Sequence, residues 1–421
     1  MSTRWKINIF EHTLGLGLFG LVAVGTALEG ALGPIAIGLF LLSCGYLLVS
    51  VRSYKFNNKE LFYIGAAVAF PLLTAISIYL SGESEWKYLD NPSRFLLVIP
   101  IFLAIRCSSI NVDYLNWGIF FAVLFVCFIA LYQRHWLGIN RVYGFVSGIN
   151  SPIIFGNIGL LLGVLAPTTY LTIKKILGPW ALLCVALATL AGLYVSILSG
   201  TRGGWIAMPL LLVLIGSLLP KGGINKSLLI LLALSGVFLT LYHFNPEVKV
   251  RFDTAIFELN KLFLTGEVSN GSIGIRFQLW HVAWLEFFQH PVTGVGLGQY
   301  YNEKLLLIKA GLAGVVVQRF QYAHNEPIHI LAEMGLLGFT SLMMMYISSF
   351  LLCIHYKKTK PTLAIAGLLI MFTRFDISLS QVQLAYHTTT LLYAILFAAV
   401  VGFMCRPETP NDDLKPRVKS V

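Results

Sequence analysis

The sequence predicts an all-α integral membrane protein, and three observations carry that prediction. Hydrophobic residues make up 57% of the 421 residues and charged residues only 12%, whereas a soluble domain is about half apolar and about a quarter charged. The mean hydropathy of the chain is +0.77. The apolar residues are also gathered into runs of roughly the twenty residues that a helix needs to cross a membrane.

The apolar runs predict about twelve transmembrane helices. They lie near residues 12–28, 32–51, 61–80, 94–110, 114–132, 153–173, 178–198, 203–219, 227–243, 334–354, 361–379 and 387–404. The fourth run is short, so a half-span or a tilted segment is the alternative there. The predicted organisation is nine helices in 1–243, one large loop in 244–327, three helices in 328–405 and a tail in 406–421.

Basic residues predict the orientation of these helices. With twelve spans both termini share one side, and 17 of the 30 Lys and Arg residues fall on that side. Of the other 13, 7 lie in the large loop, which contributes little to topology, so the short segments compare 17 with 6. Both termini are therefore expected in the cytoplasm and the large loop on the outer face. The net charge of +11 is scattered between apolar runs, so no nucleic-acid partner is expected.

The two sides also differ in the kind of basic residue that they carry. The cytoplasmic set contains 12 Lys and 5 Arg, and the outer set contains 5 Lys and 8 Arg. Arginine is not required for topology on the outer face, and its planar guanidinium is the better partner for phosphate or carboxylate oxygens. This asymmetry indicates an anionic ligand at the outer face.

The large loop is predicted to contain amphipathic helices. The stretch IRFQLWHVAWLEFF (275–288) places Trp280, Trp284 and Phe288 on one helical face. Such a helix lies in the membrane interface with its aromatic face toward the lipid. The alternative is a helix that packs on the loop's own core.

Two arginines of the outer face stand where anion binding is favoured. Arg202 lies between Gly200 and the Gly203–Gly204 pair in SGTRGGW, at a turn between two predicted spans. Glycines let a ligand approach the backbone closely, and an arginine that reaches lipid headgroups is the alternative. Arg276 opens the aromatic helix, where an anion would lie between its guanidinium and free backbone N–H groups. A solvated charge is the alternative for Arg276.

His324 precedes the tenth predicted span and therefore lies at the outer membrane surface. An imidazole with an unperturbed pKa of about 6.5 can act as a general base close to neutral pH. A metal site is not expected here, because His324 and His329 are five residues apart and do not share a helical face. Glu83, Glu85 and Asp90 are more typical of a solvated acidic loop than of a Mg²⁺ or Mn²⁺ site.

A family resemblance follows from these motifs. The stretch QYAHNEPIHILAEMGLLGFT (321–340), with a His-Asn pair followed nine residues later by GxxG, resembles the signature of the O-antigen ligase family. Further segments resemble family segments in the expected order: LDNPSR (89–94), RVYGF…NSPIIFGN (141–157), SGTRGGW (199–205) and IRFQLW…HPVTGVGLGQY (275–300). One departure is Phe339 after the GxxG, where a small, hydroxylated or Tyr residue is expected.

The resemblance implies a metal-independent transferase without a cofactor in the bacterial inner membrane. Such enzymes transfer a glycan from undecaprenyl pyrophosphate to an acceptor hydroxyl at the periplasmic face. In a ligase the acceptor is the outer-core sugar of lipid A–core, so the partners are a lipid-linked glycan, lipid A–core and the surrounding membrane lipid. The candidate catalytic residues are His324, Arg202 and Arg276, and the candidate substrate-binding residues are Arg94, Arg141, Arg319 and Asn325.

Three alternatives to a ligase remain open at this point. An O-antigen polymerase usually carries two sizeable periplasmic loops, and a protein O-oligosaccharyltransferase tends to carry extra C-terminal sequence. This chain has one such loop and a short tail after Cys405. A transporter for the lipid-linked sugar would place ionisable residues near the membrane midplane, whereas the predicted spans are almost free of charge. These features favour a ligase.

Overall fold

The computed structural model describes residues 3–28, 30–50, 55–82, 85–144, 151–201, 203–205, 208–216, 246–265 and 271–407, with a few isolated positions between 232 and 268. Within these ranges every regular element is helical and no strand occurs, which confirms the predicted all-α class. The helices are α1 (Thr3–Ala23), α2 (Leu32–Val49), α3 (Asn58–Ser81), α4 (Asp90–Cys107), α5 (Asp113–Leu131), α6 (Pro152–Leu165), α7 (Tyr170–Leu177), α8 (Ala181–Leu198), α9 (Met208–Gly216), α10 (Pro246–Thr265), α11 (Ser272–Gln289), α12 (Tyr300–Lys309), α13 (Glu326–Tyr356), α14 (Pro361–Ser378) and α15 (His387–Met404).

Eight helical stretches of the described chain are long and apolar enough to cross a membrane. The predicted count of twelve is not confirmed. The predicted ninth span, 227–243, falls mostly outside the described residues, and α9 covers only nine residues of the predicted eighth. The fourth span, which the sequence left open as a half-span, is a helix of 18 residues preceded by a 3₁₀ turn at Trp86–Leu89.

Polar contacts join the helix ends at one end of the bundle. The Glu60 carboxylate at the start of α3 accepts hydrogen bonds from Arg106 (3.0 Å) and from the Tyr356 hydroxyl (2.7 Å), which end α4 and α13. Lys175 of α7 pairs with Asp113 of α5 at 2.7 Å. We call this end of the bundle, where α3 begins and α4 and α13 end, the basic end. Its lysines and arginines in the described chain all belong to the set predicted to be cytoplasmic: Lys55, Lys59, Arg106, Lys174, Lys175, Lys357, Lys358, Lys360 and Arg406.

Helix α13 is broken at Gly335, inside the stretch where the sequence predicts the tenth span to begin. Gly335 has φ 58° and ψ −153°, a conformation that is essentially restricted to glycine. The loop 291–296 inserts into this break. Its backbone receives hydrogen bonds from the N–H groups of Leu336 and Leu337, and it donates to the carbonyls of Ala332 and Glu333. The loop thereby satisfies polar backbone groups that a broken helix would otherwise expose to lipid.

We expect Gly335→Ala to destabilise the protein by roughly 1–3 kcal/mol, the cost of a side chain in such a conformation. A Cβ at this position would also lie 2.5 Å from the carbonyl carbon of Val292. The measurement is thermal unfolding of the purified protein in detergent. Gly38→Ala in α2 is the matched control, because a Cβ there meets nothing within 4 Å. Equal melting temperatures for the two variants would contradict the insertion of loop 291–296 into the break at Gly335.

The large loop has a small core of its own. Leu279 and Val282 of α11 are buried with Tyr300 and Leu307 of α12 and with Val317. On the other side of α11, Trp284 is 40% exposed and Phe288 71% exposed, and their rings stack with centroids 5.8 Å apart. The packing of one face on the loop's own core is confirmed, and Trp280 joins that core. The location of this helix in the membrane interface stays a prediction.

Candidate active site

A cavity of about 1260 Å³ lies at the end of the bundle opposite the basic end. Its walls come from the segment after α5, the end of α8 with the turn that follows it, helices α10 and α11, the segment before α13 and the end of α14. Small-molecule pockets usually measure roughly 300–1000 Å³. The cavity therefore has room for a ligand larger than one sugar or one pyrophosphate.

The cavity brings together three of the seven predicted site residues, namely His324, Arg276 and Arg141. Arg202 lies outside the described residues, although its neighbours Thr201 and Gly203 both line the cavity. The roles of all four remain predictions.

The other three predicted residues do not line the cavity. Arg94 pairs with Asp90 at 2.6 Å and donates to the His387 carbonyl, so it ties α4 to the start of α15. Arg319 is exposed, with its guanidinium over the Phe320 ring. Asn325 is 7% exposed and caps α13 by accepting a hydrogen bond from the Ile328 N–H. These contacts give Arg94 and Asn325 structural roles that the sequence did not predict.

His324 is held in one orientation by a chain of side chains. Its Nδ1 lies 3.1 Å from the Gln381 Oε1, and the Gln381 Nε2 donates to the Tyr386 hydroxyl at 2.9 Å. The Gln381 amide is oriented with its nitrogen toward Tyr386, and in this orientation its oxygen accepts the proton on Nδ1 of His324. The Nε2 atom is then the proton acceptor of the ring. His324 also has φ 52°, and it is the one residue other than glycine with a positive φ in the described chain.

The surroundings of His324 keep the imidazole neutral. Burial lowers its pKa, the hydrogen bond to Gln381 raises it, and the charges of Arg276 and Lys304 lower it further, with a net result below the usual 6.5. A base must be unprotonated to act, so activity that depends on His324 is present above its pKa and is lost as the pH falls through it. The lowered pKa extends the active range toward acidic pH.

We expect Gln381→Met to lower the maximal rate by roughly tenfold, because Nδ1 loses the acceptor that selects the tautomer. The acidic limb of the pH profile should also move to lower pH, since the Gln381 hydrogen bond raises the pKa of His324. The measurement is the transfer rate between pH 5 and pH 8. An unchanged rate and profile would remove Gln381 from the site.

Arg276 projects from the second turn of α11 and is half-buried. No described residue forms a hydrogen bond or ion pair with its guanidinium, so its donors are available to a ligand. The sequence predicts that an anion lies between Arg276 and free N–H groups at the start of α11. This prediction is wrong for two of those groups. The Glu258 carboxylate of α10 already accepts hydrogen bonds from the N–H groups of Ile273 (2.9 Å) and Gly274 (3.3 Å). Glu258 caps α11 and so positions Arg276.

Arg141 lines the same cavity from the segment that follows α5. Its Nε donates to the Ser199 carbonyl at 2.7 Å and lies over Gly200, which has φ 67°. A Cβ on Gly200 would stand 3.3 Å from this Nε, and a Cβ on Gly203 would stand 1.8 Å from the Ser380 Oγ. The glycines of SGTRGGW therefore let this turn pack closely against Arg141 on one side and the end of α14 on the other.

Several functional candidates had no local signal in the sequence. Gln381 belongs to a short polar connection between two spans and contacts a histidine 57 positions away. Gln133 is fully buried and accepts hydrogen bonds from the N–H groups of Tyr143 and Gly144, which holds the Arg141 segment. The spans are also less free of charge than predicted, because buried Arg374 pairs with buried Glu326 at 3.6 Å.

Comparison with known proteins identifies one matching family. Residues 186–343 match a family model described as O-Antigen ligase, a range that includes the end of α8, the large loop, His324 and the break at Gly335. The match confirms that this part of the chain resembles the O-antigen ligase family. The eight long apolar helices of the described chain indicate a multi-pass membrane protein.

One relative extends the similarity beyond the matched range. A protein of Haemophilus influenzae (strain ATCC 51907 / DSM 11121 / KW20 / Rd), described as an uncharacterized protein, is 27% identical over 362 residues. The alignment covers 84% of this chain and 87% of that protein. The similarity therefore includes most of the helices outside the family match.

Proposed function

We propose that this protein is an O-antigen ligase. It transfers a glycan from undecaprenyl pyrophosphate to the outer-core sugar of lipid A–core at the periplasmic face of the inner membrane. The observation that carries the proposal is that His324, Arg276 and Arg141 line one cavity. A base and phosphate-binding groups around one cavity are what glycan transfer from a pyrophosphate requires.

In the proposed reaction His324 activates the acceptor. The Nε2 atom takes the proton of the acceptor hydroxyl as its oxygen attacks the anomeric carbon of the donor sugar. The bond between that carbon and the pyrophosphate oxygen breaks, and the leaving group departs with the bonding electron pair as undecaprenyl pyrophosphate. The proton on His324 is then released to the periplasm or to the leaving group.

The arginines stabilise the charge that develops on the leaving group. Arg276 has no ion-pair partner among the described residues, so its donors can turn toward phosphate oxygens. Burial lowers the pKa of Arg276, yet a guanidinium stays charged at neutral pH. Arg141 retains further donors beyond the Nε that binds Ser199. Arg202 is proposed as a third phosphate ligand, since the residues on both sides of it line the cavity.

The distribution of charge supports a periplasmic site. The helices α8 and α14 run from the basic end to the cavity, and α13 runs from the cavity back to the basic end. A basic end in the cytoplasm, as the positive-inside rule requires, places the cavity at the periplasmic surface. Lipid-linked glycan and lipid A–core both present their sugars at that surface.

The test is a transfer assay with purified protein in detergent or liposomes. The protein is incubated with undecaprenyl-pyrophosphate-linked glycan and lipid A–core, and products are separated on gels. A ladder of glycan attached to lipid A–core is expected.

A second incubation without lipid A–core separates a ligase from a polymerase of the same superfamily. Lengthening of the lipid-linked glycan in that incubation, together with no product on lipid A–core, would show polymerisation instead. Movement of the lipid-linked glycan across a liposome membrane without any transfer would show a transporter.

A further inference from the structure

Lys304 of α12 is a buried cation beneath the candidate active site. Its side chain is fully buried, which is rare for lysine. The ammonium group donates to the carbonyl of Phe320 and lies over the Tyr301 ring, 4.7 Å from the centroid. This hydrogen bond connects Lys304 to the segment 320–324, which ends at His324.

The carboxyl group that faces Lys304 does not neutralise it. Glu286 of α11 is fully buried, and neither of its carboxyl oxygens accepts a hydrogen bond from a described residue. Burial raises the pKa of Glu286 to about 10, so the carboxyl group is uncharged at neutral pH. Burial lowers the pKa of Lys304 to about 8, which leaves the ammonium group mostly charged at pH 7.

One contact through Phe320 and one electrostatic effect connect Lys304 to His324. The Phe320 ring, whose own carbonyl Lys304 holds, packs edge-on against the imidazole with centroids 5.6 Å apart. The charge of Lys304 also acts directly on His324, where it opposes a second positive charge. Lys304 does not line the cavity, so it can act on the reaction only through residues that do, namely Phe320 and His324.

We propose that Lys304 is a positioning residue for the transfer reaction, which holds the segment 320–324 in place and keeps His324 in its neutral, proton-accepting form. The inference rests on the proposed function, because it assigns a purpose to the protonation state of His324. Lysine suits this purpose because one side chain supplies both a hydrogen bond to the backbone and a charge. The titratable or charged groups that face the ammonium group are Glu286 of α11, Tyr300 and Tyr301 of α12, and His324 and His329. Glu286 in turn faces Glu303 of α12 and Glu333 of α13, and Arg276 acts on His324 from the cavity side.

The test measures the protonation of His324 without requiring activity. Diethyl pyrocarbonate reacts with neutral imidazole, and peptide mass spectrometry gives the rate of modification of His324 from pH 5 to pH 8. Lys304→Gln keeps a hydrogen-bond donor and removes the charge, and Lys304→Met removes both. In each variant the midpoint of the His324 titration should rise by about half a pH unit. Below the midpoint, His324 should therefore be modified about threefold more slowly. Lys304→Arg should retain the wild-type midpoint.

Two further variants calibrate the result. Lys309→Gln removes an exposed charge from the same helix and should leave the midpoint unchanged. Gln381→Met should move the midpoint in the opposite direction. Measuring both Lys304→Gln and Lys304→Met keeps the test decisive if one of them fails to fold, as judged by tryptophan fluorescence. A wild-type midpoint in a folded variant without the charge overturns the inference. Absence of transfer by the wild-type protein would overturn the proposed function instead, and the titration would still report on Lys304.

Discussion

Replacing His324 with alanine is expected to reduce glycan transfer by ~10²–10⁴-fold, the usual contribution of a general base. The Nε2 atom is the proton acceptor because Gln381 occupies Nδ1, and alanine offers no acceptor at all. Membrane insertion and purification should be normal, since the side chain lines a cavity and does not belong to the helix core. The measurement is the single-turnover rate with saturating lipid-linked glycan and lipid A–core.

The backbone at His324 calls for a second variant. Its φ of 52° favours residues that tolerate the left-handed region, and asparagine does so better than alanine. His324→Asn should therefore lose as much activity as His324→Ala while retaining the local conformation. His281→Ala, which removes an exposed histidine from the same loop, is the control and should transfer normally. Activity near the wild-type level in either His324 variant would exclude it as the base.

Arg276→Ala is expected to slow transfer by ~10²–10³-fold, the range observed when one preorganised donor to a developing negative charge is removed. Arg276→Lys should be nearly as harmful, because an ammonium group cannot reproduce a bidentate contact with phosphate oxygens. No described residue forms a hydrogen bond or ion pair with the Arg276 guanidinium. The loss in either variant therefore reports contact with the ligand. Single-turnover rates of both variants give the comparison.

The pairing of Arg276 with Arg202 is tested by combining their substitutions. If both bind one pyrophosphate, the double variant should lose less than the sum of the two single losses in activation free energy. Lys309→Ala, which removes another positive charge of the loop, should retain its activity. Strictly additive losses, or normal turnover by the Arg276→Lys variant, would assign the two arginines to separate sites.

Hydropathy and charge sufficed to predict the class of the fold. An apolar run is a local property, so spans such as 361–379 and 387–404 agree with α14 and α15 within a few residues. The break in α13 is different. Gly335 was noticed only as part of the GxxG of the signature stretch, and its conformation depends on a loop some forty positions earlier that fills the gap. Periodicity along one segment carries no information about such a contact.

The residues of the candidate site were likewise predicted only in part. His324, Arg276 and Arg141 were predicted because each stands in a motif of the predicted outer face, and all three line one cavity. Gln381 and Lys304 were missed because their importance arises from tertiary contacts with His324 and Phe320. Arg94 was predicted because it lies on the predicted outer face within the segment LDNPSR, and Arg319 because of its side of the membrane. Neither observation distinguishes an arginine in the cavity wall from one outside it.

The most direct test of the proposed site is donor binding by His324→Ala and Arg276→Ala, measured side by side at equilibrium with lipid-linked glycan. One cavity with divided roles predicts that His324→Ala binds the donor with wild-type affinity although it cannot transfer the glycan. Arg276→Ala should bind the donor at least tenfold more weakly, which is a loss of about 1.4 kcal/mol in binding free energy. Wild-type affinity in the Arg276→Ala variant, or an equal loss in both variants, would contradict the assignment of a base and a pyrophosphate ligand to this cavity.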